Sequence, residues 1–433
     1  MLKFFYVLLL LLYSNAQALT RIVDDEIEGV VRDIAKPIFK AAKLDNAGIK
    51  VIILGDKSIN AFVNDNNHVY VNSGLLNFSD NPEVVAGVIA HECGHIALGH
   101  VASRSELAKL AQSKIIAAYV LGAAAAILGK SPEVGLGVIS AGSHAVAVDY
   151  FSHSRVHETQ ADMAALKYLE SAKFSYEGLL EILKYFNANE RIFFKDQNPY
   201  IITHPVSKNR IELIKNSNAE VDSNLSNKRD LNDRYKMATA KLYAFTNSYQ
   251  AVTNRYNQQT KYDLYARSIA EYRKGNIKKA LEILDSLVKL EPKNPHLIEL
   301  KGQFLYENGK IGESIGFYEK ALAMLPYSTS IKIELAAALT QIRNREKQAV
   351  PMLQSILELE PDNAAAWKIL GVALDKSGSN DQARIAFTQY YLQLGDHKTA
   401  NRFFNSIKEN GESLPKFYKT RYQELKDELS SPK

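Results

Sequence analysis

The sequence has very little cysteine and little excess charge. Cys93 is the one cysteine among 433 residues, so no intramolecular disulfide can form and stability must come from packing or a bound metal. The chain has 53 basic and 48 acidic residues, and the formal net charge of +5 is too small to indicate a nucleic-acid-binding protein. Two internal segments, residues 115–128 and 134–148, are apolar, but each is shorter than the about 20 residues of a membrane-spanning helix.

The N-terminus has the pattern of an export signal. Lys3 provides a positive charge, residues 4–13 are almost wholly apolar, and residues 16–18 (Ala-Gln-Ala) match the small-x-small cleavage pattern. We therefore predict a signal peptide at residues 1–18, cleaved near Ala18. The alternative is an uncleaved N-terminal anchor.

Composition changes near residue 215. Before it, residues 20–45 have the apolar spacing of an amphipathic helix, and residues 51–54 form a β-branched run typical of a strand. Residues 61–63 and 68–71 flank a polar turn and predict a β-hairpin. The first part of the mature chain, residues 19–215, is therefore predicted to be an α+β domain with a small antiparallel sheet.

A repeat of about 34 residues begins near residue 261. Pro292, Pro326 and Pro361 follow one another at spacings of 34 and 35 residues. Trp367 and Gly371 match offsets of the tetratricopeptide pattern, which predicts an α-solenoid of paired helices. The predicted segments are a helical connector at 216–260, repeats at 261–294, 295–328, 329–363 and 364–397, and terminal capping helices at 398–428.

Residues 91–95 (His-Glu-Cys-Gly-His) are the most informative motif. On a helix, His91 and His95 point within about 40° of each other, so both imidazoles can bind one Zn²⁺. Glu92 lies at the edge of the same face, where it can accept a proton from a water at the metal. The flanking residues 82–90 and 96–100 read as one apolar helix that starts at Pro82. The alternative is a buried helix whose histidines are satisfied by hydrogen bonds.

A catalytic zinc site usually has three protein ligands. The best third candidate is Glu158, because Asp162 follows one helical turn later and can accept a hydrogen bond from a ligand imidazole. His153 and His157 are rival ligands, although their neighbours supply no such carboxylate at helical spacing.

The two apolar segments on either side of residues 130–133 predict a pair of helices. The favoured interpretation is a buried helical hairpin. The alternative is a mobile flap, or an element that touches a membrane, beside the active site.

These motifs resemble those of the HtpX-related family of zinc metallopeptidases, and in particular its exported members with tetratricopeptide tails. Besides residues 91–95 and 158–162, the resemblance is carried by residues 60–62, 71–75, 203–205 and 210–211. It implies one zinc ion per chain, bound by His91, His95 and Glu158, with Glu92 as the catalytic base.

The resemblance also implies that His204 moves onto the zinc as a fourth, regulatory ligand and keeps the peptidase latent. A fourth imidazole would close a tetrahedral site, which is the structural rather than the catalytic form of zinc coordination. The alternative is that His204 is a turn residue before Pro205 with no metal role. Arg210 is implied to shape the site by pairing with an acidic group.

The implied activity is periplasmic endopeptidase and chaperone activity in the assembly and quality control of outer-membrane β-barrel proteins. The implied partners are unfolded or misassembled outer-membrane proteins and the barrel-assembly machinery. The small net charge predicts no nucleic-acid partner, and the two apolar segments leave peripheral membrane contact open. An extended substrate could pair with a strand edge at Ala61, Phe62 and Val63, or at residues 68–71.

Two other functions stay open at this point. One is a non-catalytic tetratricopeptide chaperone or adaptor with a structural zinc, and the intact Glu92 argues against it. The other is an integral membrane protease, which would require residues 115–148 to span a bilayer.

Overall fold

The computed structural model describes residues 21–63, 68–128, 132–189, 204–217, 226–408 and 413–430. The predicted signal peptide and the turn at residues 64–67 lie outside the described residues. Contacts divide the chain into two compact units, one that ends at Tyr243 and one that begins at Ala244. This division falls inside the predicted connector, and the predicted domain bounds stay predictions.

The first unit contains a four-stranded sheet in the order β1-β2-β4-β3. The strands are β1 (Arg21–Ile22), β2 (Lys50–Leu54), β3 (Ala61–Val63) and β4 (His68–Asn72). The predicted hairpin is confirmed, because β3 and β4 pair antiparallel.

The sheet is mixed rather than antiparallel, since β2 and β4 pair in parallel. Val69 and Val71 of the central strand β4 are fully buried. The β3–β4 hairpin therefore pairs with β2 through strand β4. Which strand of the hairpin pairs with β2 depends on tertiary packing and cannot be predicted from local sequence patterns.

Eight described α-helices begin in the first unit, and the last of them continues three residues into the second. They are α1 (Asp25–Ala41), α2 (Ser73–Phe78), α3 (Pro82–Ala97), α4 (His100–Leu128), α5 (Pro132–Ser171), α6 (Glu177–Ala188), α7 (Lys208–Lys215) and α8 (Ser226–Thr246). Helix α1 begins after Asp24, whose side chain accepts a hydrogen bond from the Ile27 N–H, and it buries one apolar stripe against the core.

Helix α3 is the centre of the first unit and is buried on almost every side. Asn81 caps it by accepting a hydrogen bond from the Glu83 N–H. Gly94 lets helix α5 approach closely, because a Cβ at this position would lie 2.9 Å from the Ala161 carbonyl oxygen. This close approach places the side chains of α5 on either side of Ala161 next to those of α3.

Helices α4 and α5 form the predicted helical hairpin, but the hairpin is not buried. Ile116 is 57% exposed, and Val120 and Leu136 are each 64% exposed. Ala118 of α4 packs against Gly142 of α5, where an added Cβ would lie 2.6 Å from the Ala118 Cβ. The small residues therefore serve the contact between the two helices, while larger apolar side chains face outward. No helix in the described part of the chain combines the length and apolarity needed to cross a membrane.

The second unit consists of paired helices, as predicted from the repeat. After α9 (Tyr249–Arg255), the pairs are α10 (Lys261–Arg273) with α11 (Ile277–Leu290), α12 (Pro295–Glu307) with α13 (Ile311–Met324), α14 (Thr329–Gln341) with α15 (Glu346–Leu359), and α16 (Ala364–Lys376) with α17 (Asn380–Gln393). Helices α18 (His397–Phe404) and α19 (Lys416–Ser430) follow.

Within a pair, a small residue of the first helix faces an aromatic ring of the second. Gly302 faces Tyr318, and Gly371 faces Phe387. Trp367 is fully buried, and its Nε1–H donates to the Pro361 carbonyl oxygen at 2.8 Å. These two pairs are thus closed by side chains from their own repeats, while Trp367 also bonds to the end of the preceding repeat.

Candidate metal centre

The two histidines of the motif share one face of helix α3. Their Nε2 atoms lie 3.1 Å apart, and both side chains are buried. Glu92 is also buried, between them in sequence. The arrangement follows from the helical spacing of four residues.

Helix α5 brings the predicted third residue to this pair. Glu158 Oε2 lies 3.2 Å from His91 Nε2, and Glu158 Oε1 lies 3.2 Å from His95 Nε2. Of the two rivals, His157 stacks on His100 with ring centroids 4.1 Å apart and does not belong to this cluster. The side chain of His153 lies outside the described residues.

His204, which precedes helix α7, joins the same cluster. Its Nδ1 lies 3.3 Å from His91 Nε2 and 3.1 Å from Glu158 Oε2. Its Nε2 lies 3.4 Å from Glu92 Oε1. The His204 imidazole therefore contacts the carboxylates of both Glu92 and Glu158.

The donor set fits a tetrahedral zinc ion. One ligand atom from each of His91, His95, Glu158 and His204 can be chosen so that all four lie within 4.8 Å of one another. Among His91 Nε2, His95 Nε2, Glu158 Oε2 and His204 Nδ1, four of the six distances are 3.1–3.3 Å. They approach the edge of about 3.3 Å expected for a tetrahedron with Zn–N and Zn–O bonds of about 2.0–2.1 Å. Lone pairs that converge in a buried site would be costly without a cation between them.

Asp162 and Arg210 hold His91 in place. His91 Nδ1 lies 2.9 Å from Asp162 Oδ1 and donates its proton to this carboxylate; in the neutral imidazole, the Nε2 lone pair then faces the cluster. The Arg210 Nε–H and one Nη2–H donate to the Asp162 carboxylate at 2.6 and 2.9 Å, and Arg210 Nη1 lies 3.2 Å from Glu158 Oε2. The acidic groups that pair with Arg210 are thus Asp162 and Glu158.

The surroundings of Glu158 and Asp162 favour the ionised form of both carboxyl groups. Burial alone would raise the pKa of Glu158, but the imidazoles of His204, His91 and His95 lower it well below its usual value. Burial would likewise raise the pKa of Asp162, whereas the Arg210 guanidinium lowers it.

The pKa values of the two histidines of helix α3 shift in opposite directions. Burial holds the pKa of His95 well below its usual value. Burial also acts to lower the pKa of His91, but the hydrogen bonds to Asp162 and Glu158 outweigh it and raise this pKa to about 9.

Two further residues near the site were not predicted from the sequence. The ring of His100 lies beside His95, with the Nδ1 atoms 3.1 Å apart, and His100 Nε2 lies 3.1 Å from Gln160 Oε1. The sequence pattern suggested one continuous helix through residue 100, and this prediction is wrong. Helix α3 ends at Ala97, and Gly99 takes a left-handed conformation with φ 70° that returns the chain toward His95.

The sheet distinguishes the two strands proposed for substrate binding. Strand β4 pairs with a neighbour on both sides, so residues 68–71 cannot accept a substrate strand. Strand β3, with Ala61, Phe62 and Val63, lies at the edge of the sheet and packs against helix α3.

Comparison with known proteins gives two family matches. Residues 23–218 match peptidase family M48, and residues 265–329 and 343–399 match a tetratricopeptide repeat family. The chain is similar to the beta-barrel assembly-enhancing protease of Yersinia pestis, with 22% identity over 351 residues that cover 76% of this chain and 68% of the relative. The protein of the same name from Escherichia coli is 22% identical over 355 residues, covering 79% and 71%. A putative beta-barrel assembly-enhancing protease of Vibrio cholerae is 27% identical over 159 residues, covering 37% and 32%.

Proposed function

Because the chain carries a peptidase family M48 domain followed by tetratricopeptide repeats, we propose that it is a periplasmic zinc endopeptidase. The observation that carries the proposal is the buried convergence of His91, His95 and Glu158 beside Glu92. The name of the relatives, beta-barrel assembly-enhancing protease, supports outer-membrane β-barrel proteins as the substrates. Export by a signal peptide at residues 1–18 belongs to this proposal.

The proposed mechanism assigns one role to each side chain. His91, His95 and Glu158 would hold the ion, and Asp162 with Arg210 would fix the orientation of His91. When bound, zinc would supply Lewis-acid polarisation of the scissile carbonyl and would lower the pKa of the attacking water. Glu92 accepts a proton from this water and later delivers it to the leaving amine.

Substrate recognition is proposed at strand β3. An unfolded chain in extended conformation would add to the sheet edge at Ala61, Phe62 and Val63 by main-chain hydrogen bonds. Such binding recognises an unpaired strand more than any particular side chain, which suits β-barrel proteins that have not yet closed. The repeat unit would hold clients in a chaperone role and would dock to the barrel-assembly machinery.

His204 is proposed as a latch. A fourth protein ligand closes a tetrahedral site, so no position is left for the water that attacks the substrate. The contact of His204 Nε2 with Glu92 supports this role, because the imidazole then also lies against the proposed base. Release of His204 would free the fourth coordination position of the zinc and the carboxylate of Glu92 together.

The hairpin of helices α4 and α5 is proposed to touch a membrane surface. Ile116, Tyr119 and Val120 share one exposed face of α4, and between Glu106 and Glu133 the sequence has three lysines and no acidic residue. The protein should co-sediment with phosphatidylglycerol vesicles, and Ile116→Ser combined with Val120→Ser should weaken this binding. Equal binding by the double variant would contradict the proposal.

The test of the peptidase function uses purified protein with zinc and a urea-denatured outer-membrane β-barrel protein. We expect cleavage that o-phenanthroline stops and that Glu92→Gln lowers by about 10²–10⁴-fold. Zinc content by elemental analysis should be unchanged in this variant. The matched control is Glu106→Gln, an exposed carboxylate on α4, which should cleave normally.

The second candidate is a non-catalytic chaperone or adaptor with a structural zinc. The closed set of four ligands favours it, because structural zinc sites have four protein ligands. The same assay separates the two functions. Undiminished cleavage by Glu92→Gln would remove Glu92 from the mechanism, and no cleavage by the wild-type protein or His204→Ala would favour the chaperone.

A further inference from the structure

The two histidines of helix α3 are held in different ways. His91 donates to a carboxylate, Asp162, which is itself paired with Arg210. His95 instead contacts another imidazole, that of His100, which in turn contacts the amide of Gln160. The three residues of this second chain of contacts lie on three helices, α3, α4 and α5.

The hydrogen-bonding groups determine where the protons lie. An amide oxygen only accepts hydrogen bonds, so the contact of 3.1 Å between Gln160 Oε1 and His100 Nε2 places a proton on that nitrogen. A neutral His100 then has a lone pair on Nδ1. Since its Nδ1 lies 3.1 Å from His95 Nδ1, a single proton can lie between them, and His95 must provide it.

This direction of hydrogen bonding leaves the His95 Nε2 lone pair facing His91 and Glu158. The opposite orientation of the Gln160 amide would reverse both bonds and place a proton on His95 Nε2, which could then no longer bind a metal. The His100 ring is also fixed in its plane by the stacked ring of His157, at an interplanar angle of 10°.

We propose that His100 and Gln160 are positioning residues that select the metal-binding tautomer of His95. The inference rests on the proposed metal site but is separate from the peptidase activity. Gln160 acts as the terminal acceptor, and His100 passes its effect to His95 over two hydrogen bonds. Because His100 begins α4 and Gln160 lies on α5, the base of the α4–α5 hairpin is part of the support for the zinc ligand.

The experiment measures zinc affinity by competition with a chromogenic chelator, without any peptidase assay. Gln160 is exposed, so its substitution should leave the fold intact. Gln160→Met removes the acceptor, and we expect about 10- to 100-fold weaker zinc binding, as is typical when a residue that supports a metal ligand is lost. Gln160→Glu keeps an acceptor and should bind zinc at least as tightly as the wild type.

Two controls separate this effect from charge and from general loss of a histidine. Arg155→Gln, at an exposed position of α5, changes the local charge by the same unit as Gln160→Glu and should not restore binding when combined with Gln160→Met. His144→Ala removes an exposed histidine of the same helix and should leave the affinity unchanged. His100→Leu should weaken binding as Gln160→Met does, and the Gln160 pair decides the question if His100→Leu does not fold.

Equal zinc affinity of the wild type, Gln160→Met and Gln160→Glu would overturn the proposed relay while the proposed peptidase function stands. Equally weak binding by both Gln160 variants would also overturn it, because a merely structural role does not distinguish an acceptor from an apolar side chain. Failure of the wild-type protein to bind zinc would instead remove the proposed function itself.

Discussion

The two compact units make their defining contacts over very different sequence distances. In the first unit, His91 meets His204 over a separation of 113 residues, and Asp162 meets Arg210 over 48. In the second unit, Trp367 bonds to Pro361 over six residues, across the boundary between two neighbouring repeats. The candidate metal centre therefore depends on several elements at once, whereas each repeat is completed by its own residues and its neighbours.

This difference implies that a single substitution at the metal centre destabilises the first unit as a whole, whereas a substitution in the second unit destabilises one repeat. The stabilities of the two units can be measured separately. Trp367 is the one tryptophan of the sequence and is fully buried in the second unit. Its fluorescence reports unfolding of the repeats, and circular dichroism reports both units.

The largest effect is expected from Arg210→Met. This change leaves Asp162 and Glu158 buried without their cation, which should cost about 3–5 kcal/mol of the free energy of unfolding. The control Arg234→Met removes an exposed pair with Asp33 and should cost less than about 1 kcal/mol. Urea unfolding followed by circular dichroism measures both. Equal losses in the two variants, or an equal shift of the Trp367 transition, would break the comparison between the units.

Removal of zinc should act on the first unit alone. With free zinc at 100 times its Kd, zinc binding stabilises the folded first unit by about 2.7 kcal/mol. A chelator should abolish this stabilisation. The measurement is thermal unfolding with and without chelator, read by circular dichroism and by Trp367 fluorescence. If the chelator shifts the Trp367 fluorescence transition by as much as the circular dichroism transition, the two units do not unfold independently.

In the second unit, Gly371→Ala should destabilise one repeat. The added Cβ would lie 2.7 Å from the Phe387 ring, and such overpacking costs about 1–3 kcal/mol. The matched control is Gly316→Ala in helix α13, where an added Cβ meets nothing within 4 Å. That variant should gain about 0.5–1 kcal/mol, because alanine is the better helix former. Peptidase activity should be unchanged in both, and a loss of activity in Gly371→Ala alone would mean that repeat packing affects the first unit.

The smallest effect is expected from His204→Ala, which tests the latch. If the latch stabilises the closed site by about 1.4 kcal/mol, its loss should raise basal proteolysis about tenfold. The assay is the cleavage assay proposed above, with zinc content measured in parallel and His144→Ala as the control. An unchanged or lower rate with zinc retained argues against a latch.

Much of this architecture could be predicted from local patterns. The repeat period placed the four helix pairs, because each pair closes through contacts such as Gly371 with Phe387. The helical spacing of His91 and His95 placed their two nitrogens on one face. The carboxylate spacing of Glu158 and Asp162 on α5 likewise indicated which residues would face α3.

Other features could not be predicted, for identifiable reasons. The exposed face of the α4–α5 hairpin has the same apolar composition as a buried helix, so composition could not distinguish the two. The parallel pairing of β2 with β4 depends on which strand of the β3–β4 hairpin the tertiary packing places beside β2. The return of His100 toward His95 depends on the left-handed Gly99, which reads equally well as part of the apolar helix.

The sequence by itself determined the elements, the repeats and the chemistry of the donors, because these depend on residue type and on spacings within one or two helical turns. Only the tertiary structure decided which donors meet. The close approach of α3 and α5 at Gly94 brings residues 91 and 158 together, and the start of α7 adds residues 204 and 210. His100 and Gln160 join the same centre. The physical reason is that such convergence is set by the packing of whole helices, whose energy is spread over many contacts and is not recorded in any short segment.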